Sequence, residues 1–256
     1  MTPEELAFVT AAAFLAGLVN SIAGGGTMFS FPALLWTGMD PRVANATSTL
    51  ALWPGSLSGA WGFRSDFKRD PRSLRRLILL SCTCLVGGAV GAFLLLVTPS
   101  RVFMLLVPWL ILFATVLFMG QGSGPAESGG EGEPSTAWWM ATVGFQFLVA
   151  VYGGYFGAGA GILTLASLGL HAIHDLQEAN GIKNLLVFCM NTLAVVCFAF
   201  FGLVQWKVAL CMSVGAVAGG YGAAPVARRL GRRRVRMLVI VAGLTVGLVT
   251  MWRAYT

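Results

Sequence analysis

The sequence predicts an all-α membrane protein made of two inverted-topology halves, and three observations predict it. The chain of 256 residues is 57% hydrophobic and only 11% charged, a balance that excludes an ordinary soluble domain. A glycine-broken apolar segment occurs twice, 135 residues apart: Gly24, Gly26, Asp40, Ala44 and Asn45 become Gly159, Gly161, Asp175, Ala179 and Asn180 without a gap. The basic residues cluster at places that orient the two copies oppositely.

The elements follow in order. Apolar stretches of spanning length fall at 6–22, 43–63, 74–97, 101–119, 137–156, 185–201, 207–227 and 235–252. Two shorter ones, 27–38 and 160–170, follow the glycine breaks and are too short to span, so each half is expected to hold a re-entrant or half-helix hairpin plus about three spanning helices. The first repeat covers 1–119 and the second 137–256. Residues 120–136, rich in Gly, Ser, Pro and Glu, read as a flexible linker. The acidic start, Glu4 and Glu5, argues against a signal peptide. The five cysteines sit in apolar runs without Cys-x-x-Cys spacing and read as packing residues.

The net charge of +7 does not point to nucleic acid, because twelve of the seventeen basic residues lie in two loops. These are Arg64, Lys68, Arg69, Arg72, Arg75 and Arg76, and then Arg228, Arg229, Arg232, Arg233, Arg234 and Arg236. The positive-inside rule makes 64–76 and 228–236 cytoplasmic, in contact with anionic lipid. Matched helices then run in opposite directions, with both termini outside and the linker inside, the arrangement of many secondary transporters.

Chemistry is expected where polar groups interrupt the apolar background. Asp40-Pro41 has the form of an N-cap followed by proline, and Asp175-Leu-Gln-Glu178 has capping-box spacing, so helices start near 41 and 176. Asn45, Ser48, Thr49 and Leu52 then share one face, and Asn180, Lys183, Asn184 and Val187 repeat it. Lys183 is the charged residue that falls in neither a loop nor a span end, and its match, Ser48, is neutral. A buried lysine needs a partner, a cavity or a function: it either serves a small anion or pairs internally with Asp175 or Glu178.

The breaks Asn20-Ser21-Ile22-Ala23-Gly24-Gly25-Gly26-Thr27 and Tyr155-Phe156-Gly157-Ala158-Gly159-Ala160-Gly161 free backbone N–H groups at the start of a half-helix, which favours anions. The competing reading is close helix packing by small residues, preferred for Gly87, Gly88 and Gly91 and for Gly219, Gly220 and Gly222. His171 and His174 are a metal pair, a proton relay or a solvated turn. Gln146 and Asn191 are candidate inter-helix donors, Arg42 is placed at an interfacial helix start, and Trp61, Trp138, Trp139, Trp206 and Trp252 read as interfacial anchors. There is no Walker loop, haem pair, zinc spacing or nucleophile constellation, so neither an enzyme nor a cofactor is expected.

The motif Gly17-x-x-Asn-Ser-Ile-x-Gly-Gly-Gly26, then Pro32, Gly38-x-Asp-Pro41 and Ala44-Asn-Ala-Thr-Ser48, with Gly154-Tyr-Phe-Gly-Ala-Gly-Ala-Gly161 and Ala179-Asn-Gly-x-Lys-Asn184, resembles the TauE/SafE family of anion transporters, also called sulfite exporters. The resemblance covers essentially the whole chain. It implies a multi-pass protein of the cell inner membrane that moves small sulfur-containing anions such as sulfite, sulfoacetate or other sulfonates. The combined expectation is an alternating-access transporter. Backbone N–H groups near Gly24, Gly25, Gly26, Gly157, Gly159 and Gly161 would serve as donors, and Asn20, Ser21, Thr27, Asn45, Ser48, Thr49, Tyr155, Asn180 and Asn184 as polar contacts, while Lys183 would supply the charge. Expected partners are the anion and membrane lipid, with no nucleic acid and no metal. An anion channel and a non-transporting scaffold stay open as alternatives, as does a homo-oligomer.

Overall fold

The computed structural model describes residues 1–66, 71–120, 136–170, 176–230 and 232–255. His171, His174 and Asp175, the basic residues Lys68 and Arg69, and linker positions 121–135 lie outside the described residues. The described residues form ten α-helices and no strand: α1 (Pro3–Ala23), α2 (Thr27–Trp36), α3 (Pro41–Gly62), α4 (Pro71–Val97), α5 (Ser100–Gly120), α6 (Thr136–Tyr155), α7 (Ala160–Leu170), α8 (Leu176–Phe200), α9 (Trp206–Leu230) and α10 (Arg232–Tyr255). A 3-10 turn, Arg64–Asp66, follows α3.

Local chemistry sets the boundaries. At the start of α1, Thr2 and Glu5 form a reciprocal capping box, and the helix ends where Gly24 takes a left-handed conformation, φ +84°. Asp40 caps α3 by accepting from the N–H groups of Arg42 and Val43, with Pro41 at the first helical position. The half-helices α2 and α7 have 10 and 11 residues. At about 1.5 Å per residue each reaches only about halfway across a hydrocarbon core of about 30 Å. Among the described residues, three helical stretches, Pro3–Ala23, Leu74–Val97 and Gln177–Phe200, are both long and apolar enough to cross a membrane. The expected spans at 43–63 and 207–227 are helical but less apolar, because α3 carries Asn45, three serines, two threonines and two prolines, and α9 is rich in glycine and alanine.

A shift of 135 residues carries each of the first five helices onto one of the last five, and the packing follows the same exchange. The pair α1–α9 corresponds to α6–α4, α3–α9 to α8–α4, α1–α2 to α6–α7, and α2–α3 to α7–α8. The pairs α3–α8 and α5–α10 map onto themselves. The fourth helix of each half therefore packs on the first and third helices of the other, so the halves interlock. Glycines make these crossings close: Gly88 lies against the Met190 backbone and Gly154 against the Gly88 backbone, while Gly215 and Gly219 lie against α1.

The directions can be read from residue contacts. Gly243 meets Thr115 and Gly247 meets Leu112, so α5 and α10 are antiparallel. Gly59 approaches Asn184, whereas Trp53 stacks on Phe188 at 5.0 Å and donates to Thr192 Oγ1 at 3.0 Å, so α3 and α8 are antiparallel as well. In contrast, Gly215 meets Thr10 and Phe14 while Gly219 meets Phe14 and Leu18, which makes α1 and α9 parallel.

Candidate functional site

The two glycine breaks touch in the middle of the molecule. A β-carbon on Gly24 would stand 2.6 Å from Gly161 Cα and 2.7 Å from Ile162 N, so here backbone passes backbone with no room for a side chain. Left-handed conformations at Gly24, Gly157 and Gly159 turn the chain from helix to half-helix. The second break is fastened by Tyr152, whose hydroxyl donates to the Ala158 carbonyl at 2.6 Å. An edge-to-face group of Phe31, Phe103 and Phe156 packs beside it.

Beside this crossing is a cavity of about 10 Å³, room for about one water-sized group. Asn20, Thr27, Thr49 and Leu52 line it from one half; Gly157, Gly161, Val187, Met190 and Asn191 are among those from the other. Both half-helices begin at its wall, α2 with Thr27 and α7 with Ala160 and Gly161. The first turn of α2 has no side-chain cap; the Met28 and Phe29 N–H groups donate to the Gly25 and Gly26 carbonyls, as those of Ala160 and Ile162 do to Gly157 and Gly159, and the partial positive charge of two helix starts lies beside one buried cavity.

Of the residues expected from sequence, Asn20, Thr27, Thr49, Gly157 and Gly161 line the cavity. The others form the frame around it. Lys183 is fully buried, and its ammonium donates to the Asn20 carbonyl at 2.8 Å and the Ser21 carbonyl at 2.7 Å. Asn184 Nδ2 donates to the same Ser21 carbonyl at 3.2 Å. Together α8 caps the carbonyl end of α1, where a cation complements the negative end of the helix dipole. The other half uses a neutral version of this device: Asn45 Nδ2, on α3, donates to the Tyr155 carbonyl at the end of α6, at 3.0 Å.

Ser48, the neutral match of Lys183, is paired with Ser30 of α2, hydroxyl to hydroxyl at 2.6 Å. Asn20 Nδ2 donates to Ser56 Oγ. The side-chain oxygens of Asn45, Asn180 and Asn184 and the hydroxyl of Ser21 are buried without a partner. Gly24, Gly25, Gly26 and Gly159 build the two turns, with Gly26 pressed on Ala16 and Asn20 of α1.

The cavity is also lined by residues not expected in the site from sequence: Leu52, Gly153, Ala160, Val187, Met190 and Asn191. A signal for Asn191 was present, since it continues the Asn180, Asn184, Val187 face of α8 at helical spacing. Met190 and Gly153 carry no such signal, because apolar and small residues are unremarkable in a helix bundle.

The geometry is that of a polar centre within interlocked apolar helices, and comparison with known proteins bears on what it serves. Residues 9–250 match the family described as "Sulfite exporter TauE/SafE". The chain belongs to the TauE/SafE family. Similar proteins include "Probable membrane transporter protein ORF9" of Sinorhizobium sp, 28% identical over 95% of this chain and 91% of that one. A "Probable membrane transporter protein" of Haemophilus influenzae is 27% identical over 93% and 91% of the two chains. The "Probable membrane transporter protein YfcA" of Escherichia coli K12 is 27% identical over 94% and 87%. No solved structure matches. As a TauE/SafE chain with helices long and apolar enough to span a membrane this is a membrane transporter, and the relatives are named as membrane transporters.

Proposed function

We propose that this chain moves a small sulfur-containing anion, of the sulfite, sulfonate or sulfoacetate kind, across the cell inner membrane by alternating access. The observation that carries the reading is the convergence of both half-helix amino ends on one buried cavity, the arrangement with which discontinuous helices bind anionic groups in membrane transporters. Thr27, Thr49, Asn20 and Asn191 supply side-chain polar contacts there. Lys183 acts from behind the Asn20 wall: its ammonium holds the end of α1 in place and adds positive charge near the anion.

The antiparallel packing of α5 with α10 and of α3 with α8 supports an inverted relation between halves 1–119 and 137–256. In that frame the basic loops 64–76 and 228–236 face the cytoplasm, and both termini lie outside. The cavity has room for a water-sized group but not for a sulfite ion of four heavy atoms. Binding therefore requires the two halves to part at the Gly24–Gly161 crossing, and alternating access is the opening of this seam first on one side and then on the other.

The test is thermal stabilisation of the purified protein by sulfite, sulfate, thiosulfate, sulfoacetate, taurine and chloride, paired with flux into liposomes. A ligand at a hundred times its Kd stabilises by about 2.7 kcal/mol. Stabilisation by one sulfur oxyanion that is lost in Thr49→Val and Asn191→Leu, together with flux that saturates, is the expected result. Equal response to every anion, or none to any, would overturn the proposal.

A further inference from the structure

A second cavity, of about 330 Å³, lies away from the central site between α2, α5 and α10, within the size range of ligand pockets. Leu35, Trp36, Met39, Met104, Val246 and Val249 line it. Its two threonines offer little to a polar ligand: Thr245 Oγ1 donates to the Val241 carbonyl and Thr250 Oγ1 to the Val246 carbonyl of their own helix. The space is apolar in character, unlike the central cavity, and suits a hydrocarbon rather than the transported anion.

Charged residues neighbour its lining: Asp40 and Arg42 flank Pro41, and Arg101 precedes Met104. Arg101 lies one turn before Met104 on the same face of α5; it is exposed and engages no other described residue. The start of α5 is drawn against the Pro41 rim by Arg42, whose Nε donates to Ser100 Oγ at 2.8 Å and whose guanidinium reaches the Thr98 carbonyl at 3.1 Å. Trp36, 71% exposed, is also part of the lining, an amphipathic ring of the kind found at membrane interfaces.

We propose that this cavity binds one acyl chain of an anionic phospholipid, with the lipid phosphate on Arg101. An apolar slot with an exposed arginine one helical turn from its lining matches the two parts of such a lipid. A second copy of the chain fits less well, since a stable protein interface needs a broad surface of about 1,200 Å² or more and this is a narrow slot. The bound chain touches the carboxyl half of α2 through Leu35 and Trp36, whose amino end opens on the central cavity, so the lipid braces a half-helix of the transport site.

The experiment uses the full chain, purified and stripped of lipid, with thermal unfolding followed as phosphatidylglycerol or phosphatidylcholine of identical acyl chains is added. Phosphatidylglycerol is expected to bind more tightly, and Arg101→Gln to lower its apparent affinity about fivefold, to the level of phosphatidylcholine. Val249→Trp, which fills the slot from a half-exposed position, is expected to abolish stabilisation by both. Phosphatidylglycerol carrying brominated chains should quench fluorescence of the wild type more than that of Trp36→Phe, a readout that does not depend on the filled variant folding. Equal affinity for the two lipids in the wild type, or undiminished phosphatidylglycerol binding in either substituted slot, overturns the proposal. So does equal quenching with and without Trp36, or a dimer in light scattering that Val249→Trp converts to monomer.

Discussion

Three glycine-to-alanine variants separate the two demands placed on the chain where the breaks cross. Gly24 combines a left-handed backbone, φ +84°, with backbone atoms of Gly161 and Ile162 less than 3 Å from where a β-carbon would stand. Gly161 meets the same crowding from the other side but with a backbone any residue adopts, and Gly38 has φ +78° with nothing within 4 Å. A left-handed alanine costs about 1–2 kcal/mol, and a methyl forced into a packed contact costs about 1–3 kcal/mol. Gly38→Ala should therefore lose about 1–2 kcal/mol, Gly161→Ala about 1–3 kcal/mol, and Gly24→Ala about 2–5 kcal/mol, the two effects combined. Thermal unfolding of the purified protein orders the three, and the anion-induced shift read on the same samples should disappear in Gly24→Ala and Gly161→Ala but persist in Gly38→Ala. If Gly24→Ala is no less stable than Gly38→Ala, the halves do not cross backbone to backbone and the proposed seam is wrong.

Lys183→Met keeps the volume but removes two ionic hydrogen bonds; a loss of about 1.5–3 kcal/mol per bond is the upper scale, moderated because Gly24 N–H still serves the Asn20 carbonyl and Asn184 the Ser21 carbonyl. Its anion-induced stabilisation should vanish, and Lys183→Gln should recover stability but not anion binding, as read by the same thermal assay. Thr49→Val removes a cavity hydroxyl whose remaining bond is to the Asn45 carbonyl of its own helix, so affinity measured by calorimetry should fall with stability little changed. Ser48→Ala leaves the cavity wall untouched and removes one hydroxyl pair with Ser30, a loss of about 1 kcal/mol with sulfite affinity unchanged. Asn45→Leu strips the Tyr155 carbonyl of its donor and should lower the unfolding temperature by the equivalent of about 1–3 kcal/mol.

The plan of the molecule was legible because its signals are local. Asp40-Pro41 and the glycine runs mark boundaries by what their own backbones can and cannot do, and α2, α3, α7 and α8 begin within a residue or two of where those signals place them. The site was only half legible. Helical spacing puts Ser48, Thr49, Lys183 and Asn184 on matching faces, but it does not say what faces them. Ser48 is taken up by Ser30 and Lys183 by carbonyls 162 and 163 positions away. Backbone carbonyls are present at every residue, so no residue type announces them as partners. Met190 and Gly153 entered the cavity for a related reason, as shape rather than chemistry places them there.

The interlocking of the halves sets an order on biosynthesis. When α4 leaves the ribosome, neither α6 nor α8 exists, and α1 must wait for α9, about 200 residues later. At about 5–20 residues per second that interval is about 10–40 s. Throughout it, the glycine-lined groove of α4 at Gly87, Gly88 and Gly91 and the α1 surface that will receive Gly215 and Gly219 face lipid or an insertion chaperone rather than their eventual neighbours. The first half is thus an unfinished template. Its polar break is sealed only when α8 delivers Lys183 and Asn184, and a chain truncated before that point would leave the Ser21 carbonyl without its donors and be a natural target for membrane proteolysis.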